Sequence, residues 1–134
     1  MYKNTFVILG LLFLIIAMIS CSGKVELENI DQEKWKNDRD GCLGSRLENL
    51  EDLREIKNDF LGKDNQALIK TFGRPDKVEL ADRSQTFFIY FLEPGPECQN
   101  VEKKEDPLKA IFRLNAYSRV SEVTISTLEP GNLR

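Results

Sequence analysis

Thr86-Phe87-Phe88-Ile89-Tyr90-Phe91-Leu92 is the stretch on which the fold turns. Successive side chains of an extended chain point to opposite faces, so Phe87, Ile89 and Phe91 share one face and Phe88, Tyr90 and Leu92 the other. Both faces are apolar, which suits a strand in the middle of a sheet. The segments around it read as its partners. Lys77–Asp82 alternates Val78 and Leu80 with charged neighbours. Leu108, Ala110, Phe112 and Leu114 alternate with Lys109, Arg113 and Asn115, and Val120–Thr127 puts Val123 and Ile125 on one face. Asn115–Arg119 is short enough for a hairpin turn, whereas Pro94 to Pro107 is a longer charged loop that carries Cys98.

Upstream the period changes from two to between three and four. Ile30–Asp40 has helical composition around Trp35 and stops at Gly41. In residues 46–61, Leu50, Leu53, Ile56 and Phe60 step by three, three and four along one apolar face. A shorter helix follows, with Asp64 or Asn65 as its cap, Leu68 and Phe72 on one face, and Gly73 and Pro75 ending it. Helices followed by a run of strands predict an α+β fold: two or three N-terminal helices packed on a three- or four-stranded antiparallel meander sheet.

Residues 1–20 are unlike the rest. Lys3 is their single charge, and Phe6 to Ile19 is apolar apart from Gly10. Spanning a bilayer takes about 20 apolar residues, so this run fits the apolar core of an export signal better than a membrane span. Met18-Ile19-Ser20-Cys21 follows, and this border resembles the lipobox of bacterial lipoproteins. The resemblance implies cleavage before Cys21, lipidation of its sulfur and acylation of the new amino terminus. Several acyl chains on one residue give stable anchoring. A plain secretory signal or a short uncleaved anchor is the alternative. The organisation expected is a lipoprotein signal over residues 1–20, a lipidated Cys21 with a tether over residues 21–29, and a single domain over residues 30–134.

Three cysteines are present, and lipidation of Cys21 leaves Cys42 and Cys98. Exported thiols usually pair, and closing a loop of this length would stabilise the domain by about 4 kcal/mol in the chain-entropy account. Two independent buried thiols are the alternative.

Leu61-Gly62-Lys63-Asp64, Ala67-Leu68-Ile69 and Phe72-Gly73-Arg74-Pro75-Asp76, followed by Phe88 and Tyr90 as an aromatic-x-Tyr pair, resemble the SmpA/OmlA pattern of the BamE-like lipoproteins. The resemblance covers residues 58–126. It implies a two-helix, three-stranded fold at the periphery of the outer membrane, facing the periplasm, in a protein that is an accessory to β-barrel assembly or another small envelope component.

The chain carries 19 Lys/Arg against 22 Asp/Glu and no His. That balance lacks the clustered basic surface of a nucleic-acid binder, and imidazole bases, His-containing triads and His-ligated zinc are excluded. Asp38-Arg39-Asp40-Gly41 suggests a calcium loop, but Lys36 and Leu47 would occupy the positions that need acidic ligands. No Ser is followed three residues later by Lys, and there is neither a glycine-rich phosphate loop nor a Cys-x-x-Cys. The expectation is a non-enzymatic protein without cofactor or metal, anchored to a membrane by lipid and bound to an envelope protein partner. A small inhibitor or ligand-binding module, holding a peptide or cell-wall fragment between sheet and helices, is the alternative. Phe88, Tyr90 and Trp35 are the candidate partner-binding residues. Two explanations fit Phe88 and Tyr90: one is left uncovered on the outer side of the sheet, or helices cover that face. Trp35 likewise serves either to staple the first helix to the sheet or to anchor a partner.

Overall fold

The computed structural model describes residues 23–132. Residues 1–20 and Cys21, to which the signal and lipidation readings apply, lie outside the described residues. The element order is α1 Gln32–Asn37, α2 Ser45–Glu48, α3 Leu50–Ile56, α4 Asn65–Phe72, β1 Lys77–Ala81, β2 Gln85–Phe91, β3 Lys109–Leu114 and β4 Val120–Ser126. Short 3-10 turns occupy Arg39–Gly41, Lys57–Phe60 and Pro130–Asn132. The strands form one antiparallel sheet in the order β1-β2-β3-β4, the meander expected from the sequence. The class is α+β.

Asp31 starts α1 by accepting from the backbone N–H groups of Glu33 and Lys34, which would otherwise lack partners in the first turn. The helix ends three residues earlier than Ile30–Asp40 suggested, because Asp38 leaves helical geometry (φ −84°, ψ +61°), and Asp40 (φ +54°) and Gly41 (φ +67°) then turn the chain. Gly41 cannot be replaced cheaply there. A Cβ on it would stand 2.7 Å from the Glu93 carbonyl oxygen.

The helix expected over residues 46–61 is interrupted. Asn49 leaves helical geometry (φ −96°, ψ +18°), and its side-chain amide donates to the Ser45 carbonyl at 2.7 Å. Such side-chain bonds offer the backbone an alternative to the helical ladder. α3 then tightens into the 3-10 turn at Lys57–Phe60. The apolar stepping survives these breaks: Leu53 and Phe60 are fully buried, and Leu50 and Ile56 pack against the same core. Asp64 caps α4 by accepting from Ala67 N–H at 2.8 Å, and Gly73 (φ +80°) ends it.

Register sorts the sheet residues into two layers. Val78, Phe88, Phe112 and Val123 form one cross-strand row on the helix side, and Tyr90, Ala110 and Ile125 form another. Tyr90, Phe112, Phe72, Phe60 and Trp35 interlock with ring centroids 4.9–5.8 Å apart, tilted or edge-on as aromatic quadrupoles prefer. The opposite face carries a second apolar cluster of Phe87, Ile89, Phe91 and Ile111. Gly95 of the 94–107 loop lies on Phe91, and the C-terminal turn approaches Phe87 and Ile111 through Pro130.

Residues 23–29 differ from the expected polar tether. Val25 and Leu27 pack against the helix-side core, and Val25 N–H donates to the buried Thr71 hydroxyl at 3.0 Å. Gln32 donates in turn to the Val25 carbonyl at 3.0 Å. The folded body therefore begins at Val25 rather than at Ile30.

Candidate functional site

Strand β1 is an edge of the sheet, paired on one side with β2. The helix layer stops short of it. Val78 and Leu80, which lie on the helix-side face of β1, are 51% and 83% exposed, although their cross-strand neighbours Phe88 and Thr86 are buried or half-buried. The alternation in Lys77–Asp82 therefore marks an apolar strip open to solvent and not the half-buried strand that such a pattern usually denotes. Unpaired backbone N–H and C=O groups beside exposed apolar side chains form a template for another extended segment. Lys77 and Glu79, on the opposite face of β1, form an ion pair that keeps this edge polar between its apolar positions. That bond to Glu79 is the main cause of a raised pKa for Lys77.

Around the edge, on the outer face of the sheet, runs an open cleft of about 590 Å³. Phe87 and Ile111 form its floor, and Leu80, Ala81, Pro130 and Gly131 stand on its rim. Arg113 crosses it, donating to Gln85 Oε1 at 3.1 Å and to Glu122 Oε2 at 3.0 Å. An apolar floor with a few fixed polar groups binds extended chains by shape and orients them by hydrogen bonding. No cluster of three or more acidic or thiol groups that could hold a metal ion occurs among the described residues.

The predicted site residues fall elsewhere. Trp35, Phe88 and Tyr90 are all buried on the helix side. Tyr90 donates its hydroxyl to the Gly73 carbonyl at 2.9 Å, and burial pushes its pKa above the ordinary tyrosine value. Trp35 is a core residue that packs α1 on Phe72 of α4, and not on the sheet as the structural alternative had it. The aromatic residues of β2 that reach the outer face are Phe87 and Phe91, of opposite parity to the two singled out from sequence. The space between helices and sheet, where a ligand was the alternative expectation, is filled by the interlocked rings. Cys42 and Cys98 do come together: their sulfurs are at bonding distance with Cα atoms 5.5 Å apart.

Sequence reasoning missed the buried ionic network beside those cysteines. Arg46, fully buried, donates through Nη1 to Asp76 Oδ2 at 2.5 Å and to the Phe91 carbonyl at 3.1 Å, and through Nε to the Trp35 carbonyl at 3.1 Å. Its guanidinium lies over the Trp35 and Tyr90 rings at 5.5 and 5.8 Å, where ring quadrupoles attract a cation. Asp38, also buried, accepts from Leu43 N–H at 2.6 Å and Arg46 N–H at 2.8 Å, fixing the turn into α2. Asp76 further accepts from the backbone of Asp40 and Phe91. Burial first, and the Asp76 charge second, raise the pKa of Asp40. Arg46 Nη2 and Trp35 Nε1 are buried without a hydrogen-bond partner, while the bonds that Arg46, Asp38 and Asp76 do make hold the 38–46 segment on the end of β2.

No helix among the described residues is long and apolar enough to cross a membrane. No family model, no curated protein and no solved structure matches this chain.

Proposed function

We propose that the chain is a lipid-anchored protein of the cell envelope whose domain binds another protein without catalysis, taking an extended segment of that partner along β1. One observation carries this reading: the β1 edge bears Leu80 and Val78 in the open beside a cleft with an apolar floor. A partner strand added there gains backbone hydrogen bonds along the edge and apolar contact on alternate residues. The lipobox-like border at Cys21 supports the anchor, and an oxidised Cys42–Cys98 pair is consistent with an exported protein. In its specific form the reading is an accessory to outer-membrane β-barrel assembly, where unpaired strands are the material handled. That form rests on the SmpA/OmlA-like residues.

The test is co-purification of the tagged full chain from detergent-solubilised membranes, comparing the native sequence with Cys21→Ala and Leu80→Asp. The expected result is membrane fractionation lost in Cys21→Ala, and a specific envelope protein recovered with the native chain but not with Leu80→Asp. A soluble, unmodified native protein would end the anchoring reading. Equal recovery with Leu80→Asp would end the edge-binding one.

A further inference from the structure

We infer that the anchored domain has a fixed orientation, with the outer surface of α4 and the end of α1 against the lipid headgroups and the β1 edge and outer cleft turned away from them. The inference rests on the anchoring at Cys21 proposed above. Its own observation is the docking of Val25 on the domain: the Val25 N–H donates to Thr71 Oγ1, the Thr71 side chain is buried within α4, and Gln32 of α1 closes over the Val25 carbonyl. The chain from Cys21 to Val25 is four residue steps, which reach at most about 14 Å when fully extended. A domain of about 100 residues has a radius of gyration of about 13 Å, so this leash is no longer than the body it holds. The body can rise no further than this reach above its anchor, and it cannot turn its far side toward the membrane.

The surface around the attachment point suits that neighbour. Lys24 precedes Val25, Lys70 precedes Thr71 on α4, Arg74 follows the helix, and Lys36 packs its stem against Gly73 at the end of α4. Glu26 and Glu33 form ion pairs with Lys24 and Lys36 respectively, and Glu28, Asp52, Glu55 and Asp59 line a cleft between residues 25–30 and α3. Within a Debye length of the membrane surface, anionic headgroups attract the basic side chains on the α4 side of Val25 and repel the acidic cleft on its α3 side. Phe87 and Ile111 of the cleft lie on the opposite side of the sheet from the helix layer that receives Val25.

The acylated full chain, reconstituted in vesicles of zwitterionic and anionic phospholipid, can be footprinted by acetylation of its lysines, with detergent-solubilised protein as reference. Lys24, Lys36 and Lys70 are expected to be modified several-fold more slowly in vesicles than in detergent, while Lys103 and Lys104 of the 94–107 loop react equally in both. Inserting about ten Gly/Ser residues between Ser22 and Gly23 lengthens the reach by up to ~35 Å and should abolish the protection while acylation persists. Uniform reactivity of an acylated protein, or protection that survives the insertion, would overturn the orientation while leaving the anchor intact. Intact mass lacking acylation at Cys21 would remove the anchoring reading itself and the inference with it.

Discussion

Arg46 and Asp76, thirty positions apart in the chain, meet as a buried ion pair with Nη1 and Oδ2 2.5 Å apart and neither side chain exposed. The pair joins the start of α2 to the residue before β1. Its surroundings explain why it is tolerated: the carboxylate takes two backbone N–H groups and the guanidinium two carbonyls. Removing one charge strands the other, which costs about 3–5 kcal/mol at buried sites. Asp76→Ala is therefore expected to lower the unfolding free energy by an amount in that range, measured by urea unfolding followed through the fluorescence of Trp35, the single tryptophan. Arg46→Met with Asp76→Ala should cost less than the sum of the separate changes, by about 0.5–3 kcal/mol. Additive losses would show that the two side chains do not interact energetically.

Cys42 and Cys98 hold the Arg39–Gly41 turn against the 94–107 loop, where Gly95 N–H also donates to the Asp40 carbonyl at 2.8 Å. In exported protein the two should be oxidised to each other, and non-reducing peptide mapping should recover their peptides linked. Cys42→Ser with Cys98→Ser is expected to lose about 2–5 kcal/mol of stability, since the unfolded chain regains the freedom of a 56-residue loop. Two free thiols in freshly exported material would refute the pairing.

Acid should loosen the outer face first. Glu129 accepts from the buried Lys109 ammonium, chiefly for which its pKa lies below the ordinary 4.5, and Lys104 together with Leu108 N–H lowers that of Glu93. A carboxylate with a lowered folded-state pKa contributes stability that is complete above its unfolded value and is lost as pH falls through the folded one. Stability should accordingly decline below about pH 4.5. Asp40 works against this trend, because its raised pKa means that protonation relieves a penalty of the folded state. Glu129→Gln should flatten the acid limb of a stability–pH curve, and an unchanged limb would deny Glu129 this role.

The meander was legible because β2 is apolar on both faces from Phe87 onward and its neighbours alternate. Its parity was not. With an aromatic residue on both faces, alternation separates Phe87 and Phe91 from Phe88 and Tyr90 but does not reveal which pair meets the helices; that depends on where Phe60 and Phe72 arrive from the turn after α3 and from α4. The exposure of Val78 and Leu80 was not legible for a related reason, since period two reports a face and not whether any element extends far enough to cover it. Arg46 gave no signal at all. It reads as one more polar residue at the start of an amphipathic segment, and its burial follows from three carbonyl and carboxylate groups contributed by α1, β2 and the turn before β1. Asp38, set aside with the failed calcium loop, caps the backbone of the next helix. Asp31 and Asp64 cap theirs in the ordinary way, and Asp31 was the start signal that would have shortened α1.

Tyr90 and Leu80 are expected to give opposite responses to substitution. Tyr90 is buried among Phe72, Phe112 and the Arg46 guanidinium, so Tyr90→Ala leaves a cavity and removes the bond to Gly73; about 3–5 kcal/mol is the usual cost of truncating a buried aromatic residue. Tyr90→Phe should lose only about 1 kcal/mol, the net worth of a typical hydrogen bond. Leu80 is exposed, and exposed substitutions away from special features usually shift stability by no more than about 0.5 kcal/mol. Leu80→Asp should therefore melt with the native protein while losing partner capture, because a charge on the strand edge opposes strand addition. Thermal unfolding and co-purification on the same three variants separate the roles. Loss of capture in Tyr90→Phe at native stability would move the binding site inward, and a large drop in melting temperature for Leu80→Asp would show that β1 is covered after all.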